Sequence, residues 1–118
     1  MRITSLQLRD AKAETRLEAV ASITLDNMIV IHDIKIINNG SGYFLAMPSR
    51  KMPGGNFRDV AHPISKEARA AMEGILVYAL EVMRENNIDF IILNENPNND
   101  SFCLTQQHPE DFIVATAV

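Results

Sequence analysis

The sequence predicts an α+β fold, an antiparallel β-meander sheet followed by one long C-terminal helix packed on it. Three observations carry this prediction. Leu17, Ala19, Ala21, Ile23 and Leu25 alternate with largely polar neighbours, and a period of two is the pattern of a half-buried strand. Short turn clusters, Asp26-Asn27 and Asn38-Asn39-Gly40-Ser41-Gly42, separate that run from its successors; turns this short join neighbouring strands antiparallel. From Ala68 to Met83 the apolar spacing changes to three and four residues, the period of one helical face.

Taken in order, Ile3, Leu6 and Leu8 mark a first strand and Leu17 to Leu25 a second. A third strand places Met28, Val30, His32, Ile34 and Ile36 on one face and Ile29, Ile31, Asp33, Lys35 and Ile37 on the other. Its start is apolar on both sides, so a central strand covered on both faces there is expected. Tyr43 to Met47 form a fourth strand, stopped by Pro48, which has no N–H to donate. The loop Pro53-Gly54-Gly55-Asn56 leads to a brief extended run at Phe57 to Ala61, and His62-Pro63 turns the chain. Ser65 is the expected N-cap, its side-chain oxygen accepting an orphan N–H of the first helical turn. The helix should run to about Glu85 and lay Ala68, Met72, Ile75, Leu76, Ala79 and Met83 on the sheet. Gly74 costs roughly 1 kcal/mol relative to alanine in a helix interior, and a close approach to the sheet would explain it. Ile88 to Leu93 is strand-like in length and is expected to add an edge strand or dock on the body. Asn94 to Pro109 is polar, Asn-rich and expected to be weakly ordered. The chain thus divides into an α+β domain over residues 1–86 and an acidic C-terminal extension over 87–118, partly ordered or an edge strand.

At 118 residues, with 47% hydrophobic and 22% charged residues, the composition is that of one globular domain, neither disordered nor membrane-embedded. The amino terminus MRITSLQLRD lacks the apolar run of a secretion signal, and Glu73 and Glu81 interrupt the helix. A cytoplasmic location without membrane contact is therefore expected. The lone cysteine, Cys103, has no partner for an intrachain disulfide or thiol cluster and is expected to be reduced. Charge is unevenly placed. All 11 Lys and Arg lie between Arg2 and Arg84, a stretch holding nine acids, whereas residues 85–118 hold six acids and no cation. A pI of 5.3 argues against indiscriminate polyanion binding but leaves room for a local basic surface.

That surface is sought in Tyr43 to Ile64, where two apolar runs bracket a loop carrying Arg50, Lys51 and Arg58, with Ser49 and Asn56 as hydrogen-bonding companions. Arginine offers a planar fork to phosphate oxygens or a guanine edge, and lysine a point charge. A solvated loop is the competing reading. His32-Asp33 and Asp59-x-x-His62 bring ligand-type residues together and would serve zinc or acid–base chemistry. Adjacent strand residues point to opposite faces, however, so His32 and Asp33 are not expected to share a site in a regular strand. No nucleophile triad spacing, Walker loop or dinucleotide fingerprint occurs in the sequence, and neither a metal, another cofactor nor catalysis is expected. Met47, Met52, Met72 and Met83 read as core filler, with an adaptable binding surface as the alternative. The uneven charge suggests that the acidic end folds over the basic loop and weakens polyanion binding.

Four ordered segments, Ala21-Ser22-Ile23-Thr24-Leu25-Asp26, Val30-Ile31-His32-Asp33-Ile34, Phe44-Leu45-Ala46-Met47-Pro48-Ser49-Arg50 and Phe57-Arg58-Asp59-Val60-Ala61-His62-Pro63-Ile64, resemble the stage V sporulation protein G (SpoVG) family of septation proteins. The resemblance covers roughly residues 1–84. It implies a small dimeric α+β protein that binds DNA and RNA and regulates gene expression or septation. By position it assigns Arg50 and Lys51 to the family's basic pair after Pro-Ser, and Arg58 to the arginine of its Phe-Arg-Asp motif. The expected partners are therefore DNA or RNA and a second copy of the chain. A protein-interaction module without nucleic-acid binding is the alternative, with the exposed sheet edge or helix recruiting a protein partner.

Overall fold

Alternation and turn chemistry build the sheet from its first hairpins. The computed structural model describes residues 2–12, 15–98 and 108–115. Strands β1 (Ile3–Asp10), β2 (Leu17–Leu25), β3 (Ile29–Asn38) and β4 (Tyr43–Ala46) form an antiparallel meander. Asp26 and Asn27 both adopt the left-handed conformation, at φ 53° and 54°, which matches a two-residue turn to the twist of its strands. The Met28 amide donates to the Leu25 carbonyl at 2.9 Å. The Asp26 carboxylate accepts the Arg2 amide at 2.8 Å, and the Thr4 hydroxyl accepts the Asn27 amide at 2.9 Å, tying this turn to β1.

Strand β3 departs from simple alternation. Ala21 pairs with Ile34 and Ile23 with Ile31, so Ser22 alone opposes both His32 and Asp33 in a β-bulge. Asp33 sits at φ 62°, a left-handed conformation that aspartate tolerates better than most residues. The extra residue reverses the faces. Ile31 packs on the core before the bulge and Ile34 and Ile36 are buried after it, while His32 and Asp33 are both exposed. The expected face of Met28, Val30, His32, Ile34 and Ile36 is thereby corrected. So is the expected double cover at the start of the strand: Met28, Ile29 and Val30 are 84%, 55% and 46% exposed. In addition, β4 pairs only with Lys35 to Asn38 and leaves the first half of β3 an open edge.

After β4 the chain makes a separate two-stranded ribbon, β5 (Ser49–Lys51) and β6 (Phe57–Asp59), and then α1 (Lys66–Asn86). The Ser65 side chain accepts the Ala68 amide at 3.1 Å, capping the helix as expected. Its other end closes on Asn87 at φ 53°, with the Ile88 amide reaching the Met83 carbonyl at 3.1 Å. That six-to-one bond satisfies an orphan carbonyl while Ile88 packs against the core. Met72, Ile75, Leu76, Ala79, Leu80 and Met83 are buried and share one core with Leu6, Leu8, Ile23, Ile34, Ile36 and Leu45 of the sheet. Each such fully buried aliphatic side chain contributes about 1.5–3 kcal/mol. The face predicted from spacing omits Leu80. Gly74 does not approach the sheet: it lies on the exposed side, with nothing within 4 Å of an added Cβ.

Beyond the helix, β7 (Phe90–Glu95) pairs antiparallel with β1, from Ser5 opposite Asn94 to Arg9 opposite Phe90. Strand β8 (Phe112–Ala115) pairs with β7 after a 3-10 turn at Pro109–Asp111. The main sheet therefore runs β4-β3-β2-β1-β7-β8. The run Ile88 to Leu93 supplies an inner strand rather than an edge, because β8 pairs with its outer side; Ile91 and Leu93, both fully buried, continue the same core. Within the stretch expected to be weakly ordered, Asn94 and Glu95 belong to β7, and residues 99–107, Cys103 among them, lie outside the described residues. One face of the sheet is covered by α1. The other is open and carries Gln7, Arg9, Ser22, Lys35 and Phe90. No helix among the described residues is long and apolar enough to cross a membrane.

Candidate nucleic-acid interface

The segment between the two apolar runs folds as the β5–β6 ribbon. Its register pairs Ser49 with Asp59, Arg50 with Arg58 and Lys51 with Phe57. At the tip the Met52 amide donates to the Asn56 carbonyl at 2.7 Å and the Gly55 amide to the Met52 carbonyl at 2.9 Å. Gly55 takes φ +88°, a conformation that costs glycine alone little. At the root the Val60 amide donates to the Pro48 carbonyl at 2.7 Å, and Met47, 7% exposed, pins the ribbon to the core. Every residue of both strands is exposed. A ribbon this short has no core of its own and is marginal in isolation.

Directly opposed residues project from the same face. Arg50 and Arg58 therefore stand side by side, with Cβ atoms about 5 Å apart. Lys51 lies on the reverse face with Phe57, Ser49 and Asp59. Of the five residues singled out by sequence, the ribbon thus brings Arg50 and Arg58 together on one face, puts Lys51 and Ser49 behind them, and holds Asn56 at the tip. Arg50, Lys51 and Arg58 form no ion pair among the described residues. Arg2, Lys12, Arg69 and Arg84, by contrast, are paired with Glu95, Asp89, Glu73 and the Asp10–Glu18 couple. Like charges directly across a ribbon are destabilising, and an anion bridging Arg50 and Arg58 relieves that repulsion.

The remaining candidates are engaged locally. His32 Nδ1 lies 2.9 Å from Ser22 Oγ, and the His62 ring donates to the Pro63 carbonyl at 3.1 Å. No three His, Cys, Asp or Glu side chains converge on a common point among the described residues. Met47, Met72 and Met83 are buried, and Met52 is half-buried at the ribbon tip. The acidic end does not cover the ribbon where it is described. Arg50, Lys51 and Arg58 pair with none of its acids among the described residues, Glu95 is paired with Arg2 at 2.9 Å, and Pro109 lies against α1 beside Gly74 and Tyr78. What sequence reasoning missed is an apolar surface around the ribbon: Phe57, Val60 and Ile64 are 72%, 66% and 92% exposed. The available signal was their apolar character within a stretch otherwise rich in polar and turn residues.

Fold and site together define a small α+β protein with a separate, exposed β-ribbon on which Arg50, Lys51 and Arg58 form no ion pair among the described residues. The family model described as SpoVG matches residues 1–91. The chain belongs to the SpoVG family. It is 45% identical over 87 residues to the "Putative septation protein SpoVG" of Caldanaerobacter subterraneus, spanning 74% of this chain and 96% of that protein. The protein of the same name from Clostridium novyi is 41% identical over 101 residues, 86% of this chain and 92% of that one. The Acetivibrio thermocellus relative is 49% identical over 73 residues, 62% of this chain and 78% of its own length.

Proposed function

We propose that this protein is a nonenzymatic, cytoplasmic regulator that binds DNA or RNA as a homodimer, in septation or gene expression. Arg50, Lys51 and Arg58 anchor phosphates, with Ser49 and Asn56 as hydrogen-bonding neighbours. The supporting observation is the opposed, unneutralised pair Arg50 and Arg58 on an exposed ribbon. Phosphate contacts of this kind position a protein on nucleic acid, and base contacts then specify sequence. Exposed Phe57, Val60 and Ile64 beside the ribbon supply the apolar area for self-association, and two copies would double the cations presented to one polyanion. The relatives' printed names supply the septation setting.

Replacing Arg50, Lys51 and Arg58 together by alanine should strongly weaken retardation of duplex DNA and of RNA at low salt. Circular dichroism and the sedimentation coefficient should stay unchanged. Undiminished retardation overturns the assignment. A second reading, a protein-interaction module, is favoured by the open first half of β3 with its exposed Ile29 and Val30, since an unpaired edge accepts an added strand. Salt-insensitive capture of one protein partner with no nucleic acid retained selects it.

A further inference from the structure

The open face of the sheet carries a feature that the ribbon does not explain. Beside the bulge lies a depression of about 150 Å³ lined by Gln7, Arg9, Val20, Ser22, Asp33 and Phe90. One wall is flat and π-active: the Arg9 guanidinium lies 5.3 Å from the centroid of half-buried Phe90, and planar guanidinium and aromatic surfaces are what unpaired bases stack on. The opposite wall is polar. Ser22 Oγ is fixed by His32 Nδ1 at 2.9 Å, Gln7 stands directly across from Ser22, and the Asp33 carboxylate makes no hydrogen bond or ion pair among the described residues. The bulge puts it there, because without the extra residue Asp33 would alternate onto the other face.

We infer that this depression is a subsite for one unpaired nucleobase, preferentially guanine, stacked on Arg9 and Phe90 and read by Asp33. The inference rests on the nucleic-acid reading above and adds a base contact to the ribbon's phosphate contacts. An ionised carboxylate only accepts hydrogen bonds. Guanine presents N1–H and N2–H side by side, so one carboxylate takes both, while adenine and cytosine set a single amino group beside an acceptor. Gln7, carrying both donor and acceptor, suits the neighbouring O6. These are Watson–Crick edge contacts, so the base cannot be paired, and the ligand is single-stranded or a free nucleotide. Lys35 lies on the same face two strands from Arg9 through Val20, about 10 Å away, where it meets an adjoining phosphate.

Fluorescence anisotropy with labelled uridine heptamers bearing one central guanine, inosine, adenine or uracil tests this on the full chain. The guanine heptamer should bind about tenfold tighter than the others, the discrimination expected of one bidentate base contact. Asp33→Asn, which keeps a residue tolerant of positive φ, should erase the preference while retaining the uracil affinity, and Arg9→Ala should weaken the guanine heptamer most. The Arg50, Lys51, Arg58 triple alanine variant should weaken all four heptamers and keep their ratio. Guanosine monophosphate competing as well as the heptamer assigns the site to free nucleotide, and failure to compete assigns it to a strand. Equal affinity for all heptamers, or a preference that survives Asp33→Asn, overturns the subsite while leaving the ribbon reading intact. No binding of any heptamer or duplex by the wild type overturns both.

Discussion

Arg84 is the best place to test how the helix is locked to the sheet. From the last turn of α1 its guanidinium reaches Asp10 Oδ2 on β1 and Glu18 Oε1 on β2, each at 3.1 Å, with the carboxylates only 14% and 17% exposed. Burial pushes the Asp10 carboxyl up, but the Lys12 amide and the Arg84 guanidinium outweigh it and hold the group below its ordinary 3.8. Arg84→Met keeps the aliphatic stem and leaves two half-hidden carboxylates on adjacent strands without a counter-charge. Charge-assisted hydrogen bonds are each worth about 1.5–3 kcal/mol when buried. Arg84 is itself 39% exposed, and solvent screening brings the two together down to roughly 1–3 kcal/mol. At about 4 °C per kcal/mol for a chain of this size, the melting temperature at pH 7 should fall by roughly 4–12 °C.

A carboxyl with a depressed folded pKa contributes stability that is full above its unfolded value and is lost as pH falls through the folded one. The deficit of Arg84→Met should therefore be greatest above pH ~5 and shrink toward acid, as protonation removes the charge that Arg84 neutralises. Urea unfolding followed by circular dichroism from neutral to strongly acid pH measures both quantities. A deficit equal at neutral and acid pH, or none at neutral pH, refutes an electrostatic lock and leaves Arg84 as packing alone.

Gly74→Ala fills open space on the exposed side of α1 and should raise stability by about 1 kcal/mol, or roughly 4 °C in melting temperature; a loss would mean that this side of the helix is closely covered in solution. In salt titrations of duplex binding, the triple alanine variant of the ribbon should flatten the slope of log affinity against log salt by about 2.7 per protomer. An unchanged slope would take the three cations out of contact with phosphate.

Much of the fold was legible because local signals agreed with one another. Asp26-Asn27 is both turn chemistry and a break in alternation, and Ser65 precedes a clean helical period, so both were placed from sequence. The bulge was not, because period two was extended through His32-Asp33. The pattern that betrays it is Ile31 and Ile34 three apart, which keeps both on one face only if a residue is inserted between them. The position of β7 was hidden for a different reason: Ile88 to Leu93 is as apolar as an edge or an inner strand, and its partner, β1, lies more than 80 residues earlier in the chain. Leu80 and Gly74 changed roles because spacing gives the phase of a helical stripe but not its width. At the ribbon the sequence supplied the cations, and the register alone shows that Arg50 and Arg58 are opposed.

The insertion of β7 beside β1 has a consequence for how the molecule is made. During synthesis β1 has β2 to dock on as soon as both have emerged, but its other flank stays bare until residue 95 has emerged, after the meander, ribbon and helix. Closure between Ser5 and Asn94 is a late, long-range step, the kind that slows folding and leaves backbone groups open to the wrong neighbour in the meantime. A chain cut where the family match stops, at residue 91, would sever β7 near its start and preserve that unfinished nascent state.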